Sequence, residues 1–352
     1  MRVFRSLDEI PAALSTQGPA GTVVSIGNFD GVHCGHRWIL ELIRTRARQL
    51  STPSRPVASV AVTFDPHPMR LLRPADSPRL ITPLESRLTL LAQTGVDAVL
   101  VLPFTQDLSR MSGEEFVTAI LRDALRAVEV HEGENFRFGH RAHCGAADLE
   151  ALGRKLGFAV EIHPARHVRG MMVSSSKVRQ CLLSGDISSA RALLGRPFSI
   201  LSTPAAGRGI GSRLTVPTIN LAPYGELLPA DGVYITRIRV GAGNGSREFN
   251  AVTNAGTRPT FGVASYAIES YLLDYDPDRA PLELGAENPL ELTFLRRLRA
   301  EQRFPSPEAL KVQIFRDVAR AKRYFHLSHL LTEANYEHEG KEQESKQQEK
   351  KQ

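Results

Sequence analysis

The sequence predicts an α/β protein in two parts, a doubly wound parallel sheet followed by a small antiparallel β-barrel with a C-terminal helix. Three observations predict it. In the first half, apolar β-prone runs alternate with amphipathic helical stretches, as they do where strands are buried on both faces between helices. From Phe198 onward helical periodicity disappears, and short β-prone runs recur between Gly, Pro, Asn and Asp clusters. A helical pattern then returns over Pro307 to Phe325. At 352 residues the chain is long enough for two domains with cores of their own.

Taken in order, the first strong element is Thr22 to Ile26, a β-rich run that leads into Gly27-Asn28-Phe29-Asp30-Gly31-Val32-His33-Cys34-Gly35-His36. Strand, tight turn and helix start follow from this pattern. A helix start presents unpaired N–H groups and the positive end of the helix dipole, and Gly31 and Gly35 let phosphate oxygens approach the backbone. His33 and His36 add side-chain donors. No GxxxxGK[ST] loop occurs, so ATP, if bound, is held another way.

Arg37 to Leu50 places Ile39, Leu42, Ile43 and Leu50 on one helical face. Val57 to Phe64 reads as a buried parallel strand. It stops at Asp65-Pro66-His67-Pro68, at the carboxyl edge where open α/β sheets bind ligands; His67 is either a turn residue packed by prolines or part of that edge. A helix is expected over Pro83 to Gln93, a strand over Asp97 to Leu102, a helix over Ser112 to Arg126 and a strand over Ala127 to His131. After the loop Gly133-Glu134-Asn135-Phe136-Arg137-Phe138-Gly139 come helix Ala146 to Leu156 and strand Phe158 to His163. In Ser175-Ser176-Lys177-Val178-Arg179, hydroxyls open a helix with an arginine one turn in, which makes a second anion site: a serine caps while Arg179 offers a bidentate fork.

In the second half, strands are expected over Gly232 to Val240, Glu248 to Asn254, Ala267 to Asp274 and Leu290 to Arg296. The stretch Gly207 to Asn220 combines glycines, Arg208 and Arg213 with Thr218 and Asn220. It reads as a flexible positive cover over a phosphate, with two oxygen ligands suited to hard Mg²⁺. The segment 333–352 is rich in Glu, Lys and Gln with almost nothing apolar, and is expected to be a disordered or frayed helical end.

Composition excludes several classes. The formal charge of +6 fits nucleic-acid binding, but it fits an enzyme for phosphorylated substrates equally well, and no arginine stripe with interleaved aromatics occurs. Three cysteines without a CxxC pair indicate neither a disulfide framework nor a zinc site. His140, His143 and Cys144 lie close together, but no second pair is spaced to complete a tetrahedron. The charged N-terminus and the lack of a long apolar run point to a cytoplasmic protein with no membrane partner.

Gly27 to His36 resembles the HxGH signature of the nucleotidylyltransferase superfamily. With Phe29-Asp30-Gly31 before the histidines, it resembles the bacterial bifunctional riboflavin kinase/FAD synthetases. Phe64 to Pro68 is similar to that family's FxPHP motif, and Gly133 to Gly139 to its flavin and nucleotide loop. Ser175 to Arg179 is similar to the STxxR element, with serine in place of threonine. Pro217, Thr218 and Asn220 match the PTxN element of riboflavin kinase, and Glu269 takes the position of that module's catalytic glutamate. Two departures stand out: Thr215 replaces the usual glycine before PTxN, and Asp278 to Leu282 lacks the usual DLYG turn.

The resemblance implies a Rossmann-like FMN adenylyltransferase domain over 1–197, a riboflavin kinase barrel over 198–332 and a tail over 333–352. It implies catalytic roles for His33, His36, Arg179 and Glu269. Ligand contacts are implied at Gly27, Phe29, Asp30, Gly31, Asn135, Ser175, Ser176, Gly207, Arg213, Thr218 and Asn220, with Mg²⁺ at Thr218 and Asn220. Riboflavin, FMN and ATP are the implied partners, without nucleic acid. The alternative reading is an adenylyltransferase whose barrel binds flavin without kinase activity. Oligomeric state is not legible in the sequence.

Overall fold

The computed structural model describes residues 1–10, 20–205, 218–258, 265–276, 281–282, 284–285 and 288–349. Gly207, Arg213, Thr215 and Pro217, and residues 278–280 of the segment lacking the turn motif, lie outside the described residues. The chain divides into two compact units. One holds Met1–Cys181, Ser189–Arg196 and Gly225–Leu227; the other holds Leu182–Ser188, Pro197–Tyr224 and Leu228–Gln352.

The elements of the first unit run β1 (Arg2–Phe4), β2 (Gly21–Ile26), α1 (Cys34–Leu50), β3 (Val57–Asp65), α2 (Pro68–Leu72), α3 (Leu84–Ala92) and β4 (Ala98–Pro103). They continue with α4 (Gln106–Arg110), α5 (Gly113–Phe116), β5 (Ala127–Gly133), α6 (Ala146–Leu156) and β6 (Ala159–His163). The two-stranded hairpin β7 (His167–Val168) and β8 (Met171–Met172) leads to α7 (Ser175–Ser184) and α8 (Ile187–Leu194). Six strands form one parallel sheet in the order β1-β4-β3-β2-β5-β6. Strand order reverses between β2 and β5, so the crevice at their carboxyl ends is the ligand position of an open α/β sheet.

Alternation along each strand builds a core on both faces. Val24, Ile26, Val60, Val62 and Leu100 pack with Ile120, Leu121 and Leu149 on one side. Val23, Ala61, Val99 and Val101 pack with Leu40, Ile43, Ala47, Leu88 and Leu91 on the other. Each fully buried Leu or Ile contributes about 1.5–3 kcal/mol, which is why helices on both faces are needed to hold the sheet. The helix expected over Ser112 to Arg126 has a Ser112–Glu115 capping box and a short α5, and then widens into a π-helix over Val117–Ala124. Hydrophobic spacing identifies such a helix without distinguishing its hydrogen-bond pattern.

The second unit contains β9 (Phe198–Ser202), β10 (Pro204–Ala205), β11 (Thr218–Leu221), β12 (Gly232–Val240), β13 (Arg247–Arg258), β14 (Ser265–Leu272), β15 (Leu290–Ala300) and α9 (Pro307–Glu349). The strands form an antiparallel sheet ordered β10-β11-β14-β13-β12-β15-β9, a curled half-barrel. On its inner face the hydroxyls of Thr236, Thr253 and Ser270 link in a buried row at 2.7 and 2.8 Å, so these polar groups are satisfied without water. On its outer face Val233, Ile235 and Val252 pack with Ala321, Val318, Tyr324 and Phe325 of α9. The helix does not end near Phe325. Its backbone continues to Glu349, where composition predicts a disordered or frayed end, because Glu, Lys and Gln are good helix formers and a helix already nucleated propagates readily.

Candidate active sites

The loop between β2 and α1 is held in a shape that residues rarely adopt. Phe29, Gly31 and Val32 have φ of 46°, 83° and 38°; for a β-branched valine this is strain, which persists only where the surroundings over-determine it. A Cβ at Gly31 would also come within 3.2–3.4 Å of Ile81 and Leu194. The clamps are visible. Arg196 donates to the carbonyls of Gly31 at 2.8 Å and Val32 at 3.3 Å, and Arg87, itself buried, donates to the carbonyl of Asn28 at 2.6 Å.

Asp30 is the centre of this frame rather than a ligand-facing group. It is 1% exposed. Its carboxylate accepts the N–H groups of Ile81 and Thr82 at 3.1 and 2.9 Å and the Arg179 guanidinium. Its carbonyl accepts the Ser175 hydroxyl at 2.8 Å. Arg179 spends its Nε on the carbonyl of Arg79 at 3.1 Å. His67, which caps α2 by accepting the Met69 N–H at 3.2 Å, is likewise buried.

His33 is the N-cap of α1. Its Nδ1 accepts the His36 N–H at 3.2 Å, so in the neutral ring the proton sits on Nε2. The two imidazoles stack with centroids 3.6 Å apart, and Phe29 meets His36 edge-on at 5.2 Å. Burial, partly opposed by a backbone hydrogen bond and Asp30, pulls His33 down to about 4. Burial and the neighbouring His33 pull His36 well below the ordinary range. Both rings are therefore neutral near pH 7 and act through N–H groups, not as cations.

They open on a cavity of about 310 Å³ at the β2/β5 crevice. Gly27, Phe29, His33, His36, Asn135 and Ser175 of the expected residues line it; Asp30, Gly31, Ser176 and Arg179 do not. Among the walls that sequence reasoning missed are Trp38, Glu132 and Arg166. Glu132 is buried, accepts the Ile26 N–H, and is pushed well above the usual carboxylate range by burial. The signal was present: β5 runs two residues past its expected end, carrying an acidic residue into the carboxyl edge of the sheet.

In the second unit, ladder register assembles the expected kinase residues. Glu269 on β14 stands directly opposite Asn220 on β11 and Asn254 on β13. Thr218 lies two residues from Asn220 and so shares its face. Thr218, Asn220 and Glu269 are each half-buried. Hydroxyl, amide and carboxylate oxygens side by side are a hard donor set of the kind that Mg²⁺ takes. Among the described residues no three His, Cys, Asp or Glu side chains cluster to hold a metal, His140, His143 and Cys144 included, and no helix is long and apolar enough to cross a membrane.

A parallel sheet whose switch-point crevice meets a helix N-terminus and two neutral imidazoles defines a nucleotide-binding α/β protein, here with an oxygen-lined half-barrel behind it in sequence. Residues 15–177 match the FAD synthetase family model and residues 194–325 the riboflavin kinase model. The chain is 36% identical over 303 residues to the bifunctional riboflavin kinase/FMN adenylyltransferase of Pseudomonas fluorescens, covering 86% of this chain and 92% of that one. To the enzyme of the same name from Escherichia coli K12 it is 31% identical over 315 residues, covering 90% and 96%. A solved structure titled macrolide-efflux protein, from Streptococcus pneumoniae, shares the fold with a TM-score of 0.74 at 24% identity, covering 91% of this chain and 98% of that one. The chain belongs to the bifunctional riboflavin kinase/FMN adenylyltransferase family.

Proposed function

We infer that the protein makes FMN from riboflavin and FAD from FMN, and that the two reactions are divided between its units, adenylyl transfer in the first and phosphorylation in the second. The observation that carries the division is the pair of neutral imidazoles at the start of α1, opening on a cavity in the first unit, while the Asn220–Glu269–Asn254 row lies in the second.

In the first site a phosphate oxygen of FMN attacks the α-phosphorus of ATP. The bond to the β-phosphate breaks and pyrophosphate leaves. FMN brings an ionised nucleophile, so the site needs donors for developing charge more than a base. The Nε2–H of His33, an N–H of His36 and the N–H groups of the first turn of α1 supply them. Arg179, paired with Asp30, holds the loop that aims them.

In the second site Glu269 accepts the proton of the riboflavin 5′-hydroxyl as its oxygen attacks the γ-phosphorus of ATP and ADP leaves. Thr218 and Asn220 would hold Mg²⁺, which when bound neutralises phosphate charge. Positioning of the hydroxyl against the phosphate supplies most of the remaining acceleration. We place the enzyme in the cytoplasm, where ATP and free riboflavin are at hand, and no role in binding nucleic acid enters the scheme. The test is incubation of the purified chain with riboflavin, ATP and Mg²⁺ and chromatographic separation of the flavins. Both FMN and FAD are expected, and absence of either would overturn the division into two working sites.

A further inference from the structure

One cluster in the first unit is used by neither reaction. Arg46 on α1 donates from Nε to both oxygens of Glu129 at 3.0 and 2.8 Å. Glu129 is 2.7 Å from Nε2 of His131, two residues along the same face of β5, and Nδ1 of His131 is 2.9 Å from Nε2 of His163 at the end of β6. Glu129 and His131 are buried. The carboxylate accepts, so His131 donates from Nε2. In its neutral form His131 then has a bare Nδ1 that accepts from His163.

The row closes back on α1. His163 meets the Trp38 ring edge-on at 5.1 Å, and the Arg166 guanidinium stands 4.9 Å over the same indole. Trp38 and Arg166 both line the 310 Å³ cavity. Arg46 and Trp38 sit on one helix, so the row runs from α1 through β5 and β6 and back to the indole by way of His163. Trp38 lies four residues beyond Cys34, the first residue of α1, about 6 Å along the helix axis.

We propose that Trp38 is the residue against which the purine ring of ATP is held in the adenylyl-transfer cavity, and that Arg46, Glu129, His131 and His163 are positioning residues that set its orientation. An indole presents flat π-faces to a base, and the Arg166 guanidinium stands over the same ring. This rests on the reading of the cavity as the adenylyl-transfer site.

The test is steady-state FAD formation by the full chain from FMN and ATP, with riboflavin phosphorylation on the same preparation as the check of folding. Trp38→Ala should raise KM for ATP about tenfold, as loss of one base–aromatic contact does, with kcat changed less than about twofold; Trp38→Phe should recover most of it. His163→Ala should raise the same KM, and should add nothing in the Trp38→Ala background, since the two act as one unit. Trp38 is the one tryptophan in the chain, so its emission should respond to ATP and not to inorganic pyrophosphate. An unchanged KM for ATP in Trp38→Ala, or a rise confined to FMN, overturns the proposal. Additive effects of the two substitutions overturn the positioning role. Loss of FAD formation in His36→Ala alongside a silent Trp38→Ala would leave the cavity assigned and this inference refuted.

Discussion

Nδ1 of His33 accepts the backbone N–H of His36 at 3.2 Å, and the two rings stack 3.6 Å apart. One imidazole thus caps the start of the helix, fixes its own tautomer and supports the other. Because His33 is committed as a cap, His36 is the cleaner ring to remove. His36→Ala should lower FAD formation from FMN by about 10²–10³-fold, the usual effect of deleting one donor to developing charge. FMN formation should stay near wild type, and chromatography of the two flavins reads both. Equal loss of both activities would contradict separate sites.

The same burial makes the first unit sensitive to acid. Burial lowers His33 from 6.5 to about 4 in the folded chain. Between these values the unfolded state binds the proton more readily, so stability is fully present above pH 6.5 and is lost as pH falls toward 4. For this ring alone the loss is on the order of 2 kcal/mol by pH 5, and His36 acts in the same direction. Urea unfolding of the wild type and of His33→Gln at pH 7.5 and pH 5 measures it. The variant should show the smaller pH dependence, and parallel curves would refute the assignment.

Glu269 lies between Asn220 and Asn254 across three strands. Glu269→Ala should abolish FMN production from riboflavin, while FAD synthesis from added FMN persists. The sheet should survive the change, since the residue is only half-buried. Residual FMN production near the wild-type rate would remove Glu269 from the role of base.

Asp30 is buried and its partner Arg179 partly buried, with side chains 1% and 14% exposed. Removing one partner of such a pair leaves the other uncompensated and typically costs about 3–5 kcal/mol. Asp30→Ala should therefore lower the unfolding midpoint of the first unit and abolish FAD formation with it. A variant of wild-type stability with selectively raised KM for ATP would instead mean that Asp30 touches the nucleotide.

The loop clamp gives a further check. Burial and the nearby Arg37 lower Arg196 to about 10, so it remains cationic at neutral pH while holding the carbonyls of Gly31 and Val32. Arg196→Ala frees a loop that carries Val32 at a φ of 38°. FAD formation should fall at least tenfold with FMN formation retained, a difference that the same two-flavin assay resolves.

Much of this was legible in the sequence because it is local. The Gly27–His36 stretch announces a strand, a turn and a helix start, and the structure supplies α1 with His33 as its cap. Buried strands read from apolar runs fall within a residue or two of β3 and β4, and the β12 and α6 boundaries are as expected. Missed elements were those with little local signal. β1 is three residues long and exists by pairing with β4. The π-helix after α5 has the same apolar spacing as an α-helix.

By itself, the sequence determined the order of the two architectures, the helix start that collects phosphate, and the residue types able to donate, accept or ligate. Tertiary structure alone decided what each of them faces. It turned Asp30 and Arg179 toward one another, brought Glu132, Trp38 and Arg166 to the cavity wall, and set Glu269 between two asparagines through the register of β11, β13 and β14. The physical reason is that spacing along a chain is fixed by local geometry, whereas burial, ion pairing and strand register join residues such as Asp30 and Arg179, 149 positions apart, and depend on how whole elements pack.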